Sequence, residues 1–369
     1  MTLSSEGIEL NYKPKLPRGR ELGIGIIGAG DIVVNAHLPA YQLAGFRIVG
    51  IYDRNRSRAA EAAERFGIAK IYDSLDQLLR DRDVHVVDVA VPANYQLDIV
   101  RQVAQSGKHL LCQKPLAESY QEAAEIVDLC ASAGIKAASN QQMRWSPGIG
   151  ASRDLIKRNL IGTPLQATIQ VNVLTPWEIW PWIAELERLE VMYHSIHYLD
   201  SIRSAMGMVP EYIYADGARY PGQKVIGETR TMIHIKFPGD ARGLIHDNHN
   251  NAMPEDDWYA SFRFEGTDGI VKGTNGALYN YPHGQGDTVS YYSNQLEPGR
   301  LFSPSLEGLW FPHAFMGTMG ELLSAIEDNR EPENSVQDNL ITMQMMFASY
   351  RSMEENRPVY LQEIAQSER

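Results

Sequence analysis

The chain is poor in several features that would mark it for particular classes. It has only two cysteines, Cys112 and Cys130, in 369 residues, and neither has companion ligands nearby in sequence. That excludes a disulfide scaffold and a cysteine-based zinc site, and both thiols are expected to be buried and reduced. No run of about 18 apolar residues occurs, and Met1–Arg20 lacks the apolar stretch of a leader. A cytoplasmic protein without a membrane span is the expectation. Positive charge is also in deficit: 34 Lys and Arg stand against 46 Asp and Glu, for a formal charge of −12. Without a basic run, nucleic acid is not an expected partner. Repeats and low-complexity tracts are absent too.

What is present is ordinary globular composition, 44% apolar and 22% charged, in a chain long enough for two cores. Residues 1–20 carry Pro14, Pro17 and Gly19 among polar residues and read as an arm packed on, or trailing from, the first domain. From Leu22, near-continuous apolar runs alternate with helical segments. Gly23–Ile27, Ile48–Tyr52, Val84–Val91, His109–Cys112 and Ile135–Ser139 read as strands. Ser57, Ser74 and Ser119 stand where helix caps are expected, the last two with capping-box spacing. This rhythm predicts a parallel sheet covered on both faces over residues 21–145.

The rhythm changes at Arg144-Trp145-Ser146-Pro147. A helix near Ile149–Asn159 is followed by an alternating strand, Leu165–Leu174, and a helix over Leu189–Met206. Several strand-like runs then follow without helices between them, and two helices close the chain. Residues 146–369 are therefore expected to form an α+β domain around a large, mostly antiparallel sheet.

Gly28-Ala29-Gly30-Asp31-Ile32-Val33 follows the first strand and opens a helix. There the first glycine permits a tight turn and the second lets a pyrophosphate approach the helix N-terminus. Val33 occupies the position of the usual third small residue. Asp53, at the end of the second strand, can accept both hydroxyls of an adenosine ribose. It also repels a 2′-phosphate, favouring NAD over NADP; the nearby Arg54, Arg56 and Arg58 temper that preference. A plain strand–turn–helix is the alternative.

Lys114 stands at the end of the strand His109–Cys112, beside Pro115. It is either a surface lysine at a turn or a proton-transfer group beside a nicotinamide. His194, His197 and Asp200 recur at helical spacing and should share a face. Core histidines, a metal site and an acid/base role for His197 are the alternatives. The spacing is not that of a zinc motif, so no metal is expected. His246-Asp247-Asn248-His249 suggests either a metal site or, the commoner case, a plain polar loop. Trp177, Trp180 and Trp182 are core anchors or a platform for a sugar ring.

Taken in order, these residues resemble the glucose–fructose oxidoreductase/inositol dehydrogenase (Gfo/Idh/MocA) family. The carriers are Gly28-Ala29-Gly30, Asp53, Val89-Ala90-Val91-Pro92, Gly107–Pro115, Gln142–Pro147 and His197-Tyr198-Leu199-Asp200. The resemblance implies a Rossmann domain followed by an α+β domain whose open sheet forms the contact of a homodimer or homotetramer. It implies hydride transfer between NAD(P) and a sugar, glycoside or cyclitol, with Lys114 and His197 as acid/base pair. Gly28, Gly30, Asp31, Ile32, Asp53, Arg54, Arg58, Val91, Pro92, Ala93, Tyr95, Gln113, Lys114, Gln142 and Arg144 would line the cofactor. Lys114, Arg144, Trp177, Trp180, Trp182, Tyr193, His194 and His197 would meet the substrate. The family's Glu-Lys-Pro is Gln113-Lys114-Pro115 here. Tyr193 replaces a common aspartate, and no histidine occurs near Asn94-Tyr95-Gln96. Two other activities share this pattern: a glycosidase that oxidises its sugar transiently, and a cofactor-binding sensor without turnover.

Overall fold

The computed structural model describes residues 4, 7–19, 21–279 and 284–367. The remainder of the N-terminal arm, residues 1–3, 5, 6 and 20, lies outside these. The chain forms two compact units. One comprises Pro14–Gln142 and Pro312–Met343, the other Met1–Lys13, Met143–Phe311 and Gln344–Arg369.

The first unit is built on six parallel strands: β1 (Gly23–Ile27), β2 (Arg47–Tyr52), β3 (Lys70–Ile71), β4 (Val86–Val89), β5 (His109–Cys112) and β6 (Ala137–Ser139), in the order β3-β2-β1-β4-β5-β6. All their pairings are parallel. β1 and β4 are buried along their whole length, which is why they read as unbroken apolar runs. The connecting helices are α1 (Leu38–Ala44), α2 (Arg56–Phe66), α3 (Leu75–Arg80), α4 (Ala93–Gln105) and α5 (Tyr120–Ser132). A π turn, Val33–His37, precedes α1. Ser74 and Ser119 cap α3 and α5 as expected, accepting from Gln77 N and Glu122 N. Ser57 does not cap α2. Asn55 does so, its side chain accepting from Ser57 N, because the helix starts two residues earlier than the apolar spacing suggests. Cys112 and Cys130 are buried free thiols, and burial pushes Cys130 up to about 12.

The second unit holds α6 (Pro147–Lys157), β7 (Pro164–Asn172), α7 (Ile196–Met206), β8 (Tyr212–Ala218), β9 (Arg230–Lys236), β10 (Arg242–Asn248), β11 (Tyr259–Gly266), β12 (Gly269–Thr274), β13 (Thr288–Ser293), β14 (Leu301–Phe302) and β15 (Val359–Tyr360). These nine strands lie in the order β14-β13-β12-β11-β7-β10-β9-β8-β15, antiparallel except for β7 with β10. Helices α6 and α7 pack on the inner face. The alternation along β9 and β10 buries Ile233, Ile235 and Ile245 and leaves Met232 and Leu244 exposed.

His246–Asn248 is not a loop but the end of a central strand. Asp247 faces inward and is fully buried, accepting from Ser195 Oγ at 2.6 Å and Thr231 N at 3.0 Å. A satisfied inward carboxylate hides the strand pattern, because it breaks the apolar alternation by which strands are read. The segment Leu189–Met206 opens with a second π turn, Val191–Ser195, before α7.

The closing helices divide. α8 (Phe315–Glu327) belongs to the parallel-sheet unit and α9 (Val336–Glu355) spans the boundary at Gln344, with α10 (Leu361–Ser367) in the other unit. The arm divides as well. Asn11 N and Tyr12 OH bond Asp154 and Glu307 N in the antiparallel-sheet unit, whereas Arg18 N and Gly19 N donate to Glu327 of α8. Among the described residues no helix is long and apolar enough to cross a membrane.

Candidate active site

In the parallel-sheet unit the glycine turn stands at the carboxyl ends of β1 and β2. Gly28 has φ +104°, and a Cβ there would lie 2.4 Å from Ala90 O, so only glycine fits. A Cβ on Gly30 would meet nothing within 4 Å. Open space therefore lies before the helix that Asp31 and Ile32 begin. The buried Val33 sits in the π turn, where the helix is wider than a regular one.

Asp53 Oδ2 accepts from Ala29 N and Oδ1 from Asn55 N, both at 2.7 Å. These bonds hold its carboxylate against the turn. Arg54 lies 5.3 Å over the exposed ring of Tyr95, and Arg58 is exposed on α2. Pro92 occupies the N-cap position of α4, between half-buried Val91 and buried Ala93. An open cradle at a helix N-terminus, with an acid beside it, fits a dinucleotide.

Lys114 is half-buried at the end of β5, joined to Pro115 by a cis peptide bond. Two amide side chains hold its backbone. Gln96 Nε2 donates to Gln113 O at 2.9 Å and to Pro115 O at 2.7 Å. Gln113 Oε1 accepts from Lys114 N at 2.8 Å, and its Nε2 faces His37 Nε2 at 3.2 Å. Because the Lys114 N–H fixes which end of the Gln113 amide faces back, His37 Nε2 must accept. His37 Nδ1 then donates to Asp88 Oδ2 at 2.7 Å, where Tyr41 OH also donates. Asn140 Nδ2 approaches the same His37 Nε2 at 3.1 Å. His37, Tyr41, Asp88, Gln96 and Asn140 are fully buried, and Gln113 is half-buried. A glutamate at 113 would set its carboxylate against that acceptor nitrogen, which gives the Gln113 departure a physical reason. Gln142, also expected near the cofactor, is buried at the end of this unit.

In the antiparallel-sheet unit Arg144 is committed to Asp200 of α7. Its Nε and Nη2 both bond the carboxylate at 2.6 Å, with Arg144 2% and Asp200 1% exposed. This bidentate pair fixes the helix that carries His197. Arg203 lies 3.5 Å from the same carboxylate. His197 is buried edge-on to Trp310 at 5.5 Å.

Of the three residues expected on one helix face, His197 and Asp200 lie on regular α7 and His194 precedes it. Asp200 goes to Arg144, and His194 lies in the π turn with Nδ1 3.3 Å from Glu190 Oε1. The wider turn offsets the face on which regular helical spacing relies. Trp177 is buried and tilts over His194 at 5.5 Å. Trp182 is 49% exposed and meets the Tyr193 ring edge-on at 5.4 Å; Trp180 is half-buried. Burial, with the charge of Glu190, pushes Asp247 up to about 7.

Gln96, His37, Tyr41, Asp88, Asn140 and Glu190, which the sequence did not single out, also take part. Asp88 interrupts an apolar strand and is the one that offered a signal.

Residues 22–141 match the Oxidoreductase family, NAD-binding Rossmann fold, and residues 150–272 match the GFO/IDH/MocA C-terminal domain. The chain belongs to the Gfo/Idh/MocA family. As a member it is an NAD(P)-dependent oxidoreductase that binds NAD in its Rossmann domain. It is 24% identical over 344 residues to a D-apiose dehydrogenase of Paraburkholderia graminis, covering 92% of this chain and 89% of that one. It is 27% identical over 257 residues to a 1,5-anhydro-D-fructose reductase of Ensifer adhaerens, covering 68% and 75%. The fold matches that of an oxidoreductase from Agrobacterium radiobacter in complex with NAD+, L-tartaric acid and magnesium. There the TM-score is 0.82 at 22% identity, covering 93% of this chain and 99% of that one.

Proposed function

We propose that this oxidoreductase oxidises a secondary hydroxyl of a sugar, glycoside or cyclitol, or reduces the corresponding ketone, with Lys114 and His197 as acid/base pair. The observation that carries the reading is the double amide hold on the Lys114 backbone by Gln96 and Gln113. A lysine that only decorated a turn would not need its two flanking carbonyls and its own N–H fixed by amide side chains. The relatives that act on D-apiose and 1,5-anhydro-D-fructose support the substrate class.

Gly28, Gly30, Asp31 and Ile32 would receive the pyrophosphate, and Asp53 the adenosine ribose. Arg54, Arg58 and Tyr95 would flank the adenine end. The carboxylate of Asp53 disfavours a 2′-phosphate, so NAD is preferred over NADP. Bound NAD⁺ supplies the hydride acceptor. As the carbon-bound hydride leaves with its electron pair, the hydroxyl proton passes to the Lys114–His197 pair and a ketone forms. Arg144 positions α7 through Asp200, while His194, Tyr193 and the Trp177–Trp182 loop select the substrate. In this division residues 21–145 bind cofactor and 146–369 bind substrate. The exposed outer face of the large sheet, with Tyr214, Met232 and Leu244, joins copies into a homodimer or homotetramer.

The test is a panel of sugars, glycosides and inositols with NAD⁺ and with NADP⁺, using wild type and Lys114→Ala. The reading requires at least one substrate whose NAD⁺ reduction depends on Lys114. Cofactor binding without any Lys114-dependent turnover across the panel would overturn it.

A further inference from the structure

Glu190, His194 and His249 converge within the antiparallel-sheet unit. Glu190 precedes the π turn that carries His194, one helical turn on, and His249 directly follows β10. Glu190 Oε1 lies 2.6 Å from His249 Nδ1 and 3.3 Å from His194 Nδ1, and donor atoms of all three fall within 4.8 Å of one another. Bonds of about 2.0–2.2 Å from one ion to histidine nitrogen and carboxylate oxygen place tetrahedral donors roughly 3.3 Å apart. The Glu190–His194 spacing already has that value, and the Glu190–His249 spacing needs to open by less than about 1 Å.

The surroundings are those of a ligated site. His249 Nε2 meets Tyr198 OH at 3.2 Å, so its Nδ1 is the atom turned toward Glu190. Metal-bound histidines commonly have such a partner on the other ring nitrogen. Trp177 closes over His194, while the imidazoles of His194 and His249 stack at 4.2 Å and must turn for both Nδ1 lone pairs to meet one ion. Glu190 is fully buried between the two imidazoles, and a buried carboxylate favours a bound cation beside it. His194, 19% exposed, forms the accessible side. A cleft of about 400 Å³ lined by Thr175, Trp177, Tyr220, Asn250 and Trp258 adjoins the cluster, since Thr175 N donates to His249 O.

We propose that Glu190, His194 and His249 bind one divalent transition-metal ion of the zinc or cobalt(II) class. A fourth position on the His194 side is left for water or a ligand hydroxyl. Two imidazoles and one carboxylate with an open position suit such ions better than calcium or magnesium, which prefer oxygen ligands.

The experiment uses the untagged full chain, stripped with chelator and titrated with Co²⁺ and Zn²⁺. Metal content after gel filtration and the visible absorption of bound Co²⁺ are the readouts. One equivalent of metal is expected, with affinity lowered about tenfold or more in both Glu190→Gln and His194→Gln. His246→Gln, altered on the other face of the sheet, should bind as wild type does. Circular dichroism confirms that each protein is folded, and His194→Gln, at the accessible side, stands if Glu190→Gln does not fold. Less than about 0.1 equivalent bound to folded wild type, or binding unchanged in the folded variants, would overturn the proposal. Loss of metal binding would leave the dehydrogenase reading intact, because neither readout measures turnover.

Discussion

Each unit buries a histidine network, and the two networks are built differently. In the parallel-sheet unit His37 sits between one carboxylate, Asp88, and two amides, Gln113 and Asn140; Tyr41 completes the carboxylate's partners. Donors and acceptors alternate along that chain of bonds, and it ends on the backbone of Lys114. In the antiparallel-sheet unit His194 and His249 share Glu190, with buried Asp247 behind them. The first network carries directional hydrogen bonds and sets a geometry. The second concentrates charge and sets an affinity for a cation. Where a protein must hold a backbone still, amides serve well, because each fixes both a donor and an acceptor.

The largest effect expected from breaking this contrast comes from the ionic side. Arg144→Met takes the bidentate partner from the buried Asp200 carboxylate, and should cost about 3–5 kcal/mol in urea unfolding of the whole chain. A cost below about 1 kcal/mol would mean that Arg203 takes over the carboxylate. Gln96→Leu comes next. It removes the donor shared by Gln113 O and Pro115 O, at about 1–3 kcal/mol. It should also lower kcat more than cofactor affinity, if the hold on Lys114 matters for catalysis. A melt shifted without any change in kcat would reduce Gln96 to a structural residue.

The contrast also shows what the sequence could and could not reveal. Strand–helix alternation, the glycine turn and Asp53 were legible because each is set by local chemistry over a short span. Glu190 was not, since its partner His249 comes from a strand disguised by the inward Asp247. His194 stands apart from the face that His197 and Asp200 share on α7, because it lies in the π turn that precedes the regular helix. Gln113 was visible as a departure, but its reason lay in His37, brought to it only by the fold.

A smaller effect sharpens the amide side. Gln113→Glu places a carboxylate beside Lys114, which favours the charged lysine, so the basic limb of the pH–rate profile should move to higher pH. A profile that superimposes on wild type would contradict the view that a neutral neighbour eases deprotonation of this lysine. The smallest effect concerns His109 of β5, whose Nδ1 accepts from Lys136 N. Burial, helped by Lys136 and His85, lowers its pKa. The unfolded chain then binds the proton more readily, so stability falls as pH drops through about 6.5 toward the folded value. His109→Asn should flatten that acid limb of the urea midpoint, measured between about pH 5.5 and about pH 7.5.

The central claim is that the fixed Lys114 serves proton transfer and not cofactor binding. The most direct measurement is single-turnover NADH formation by wild type and Lys114→Ala, each saturated with NAD⁺ as checked by titration. A rate lowered about 10²–10⁴-fold at equal cofactor affinity is the predicted result. An unchanged rate, or a loss explained wholly by weaker NAD⁺ binding, would contradict it.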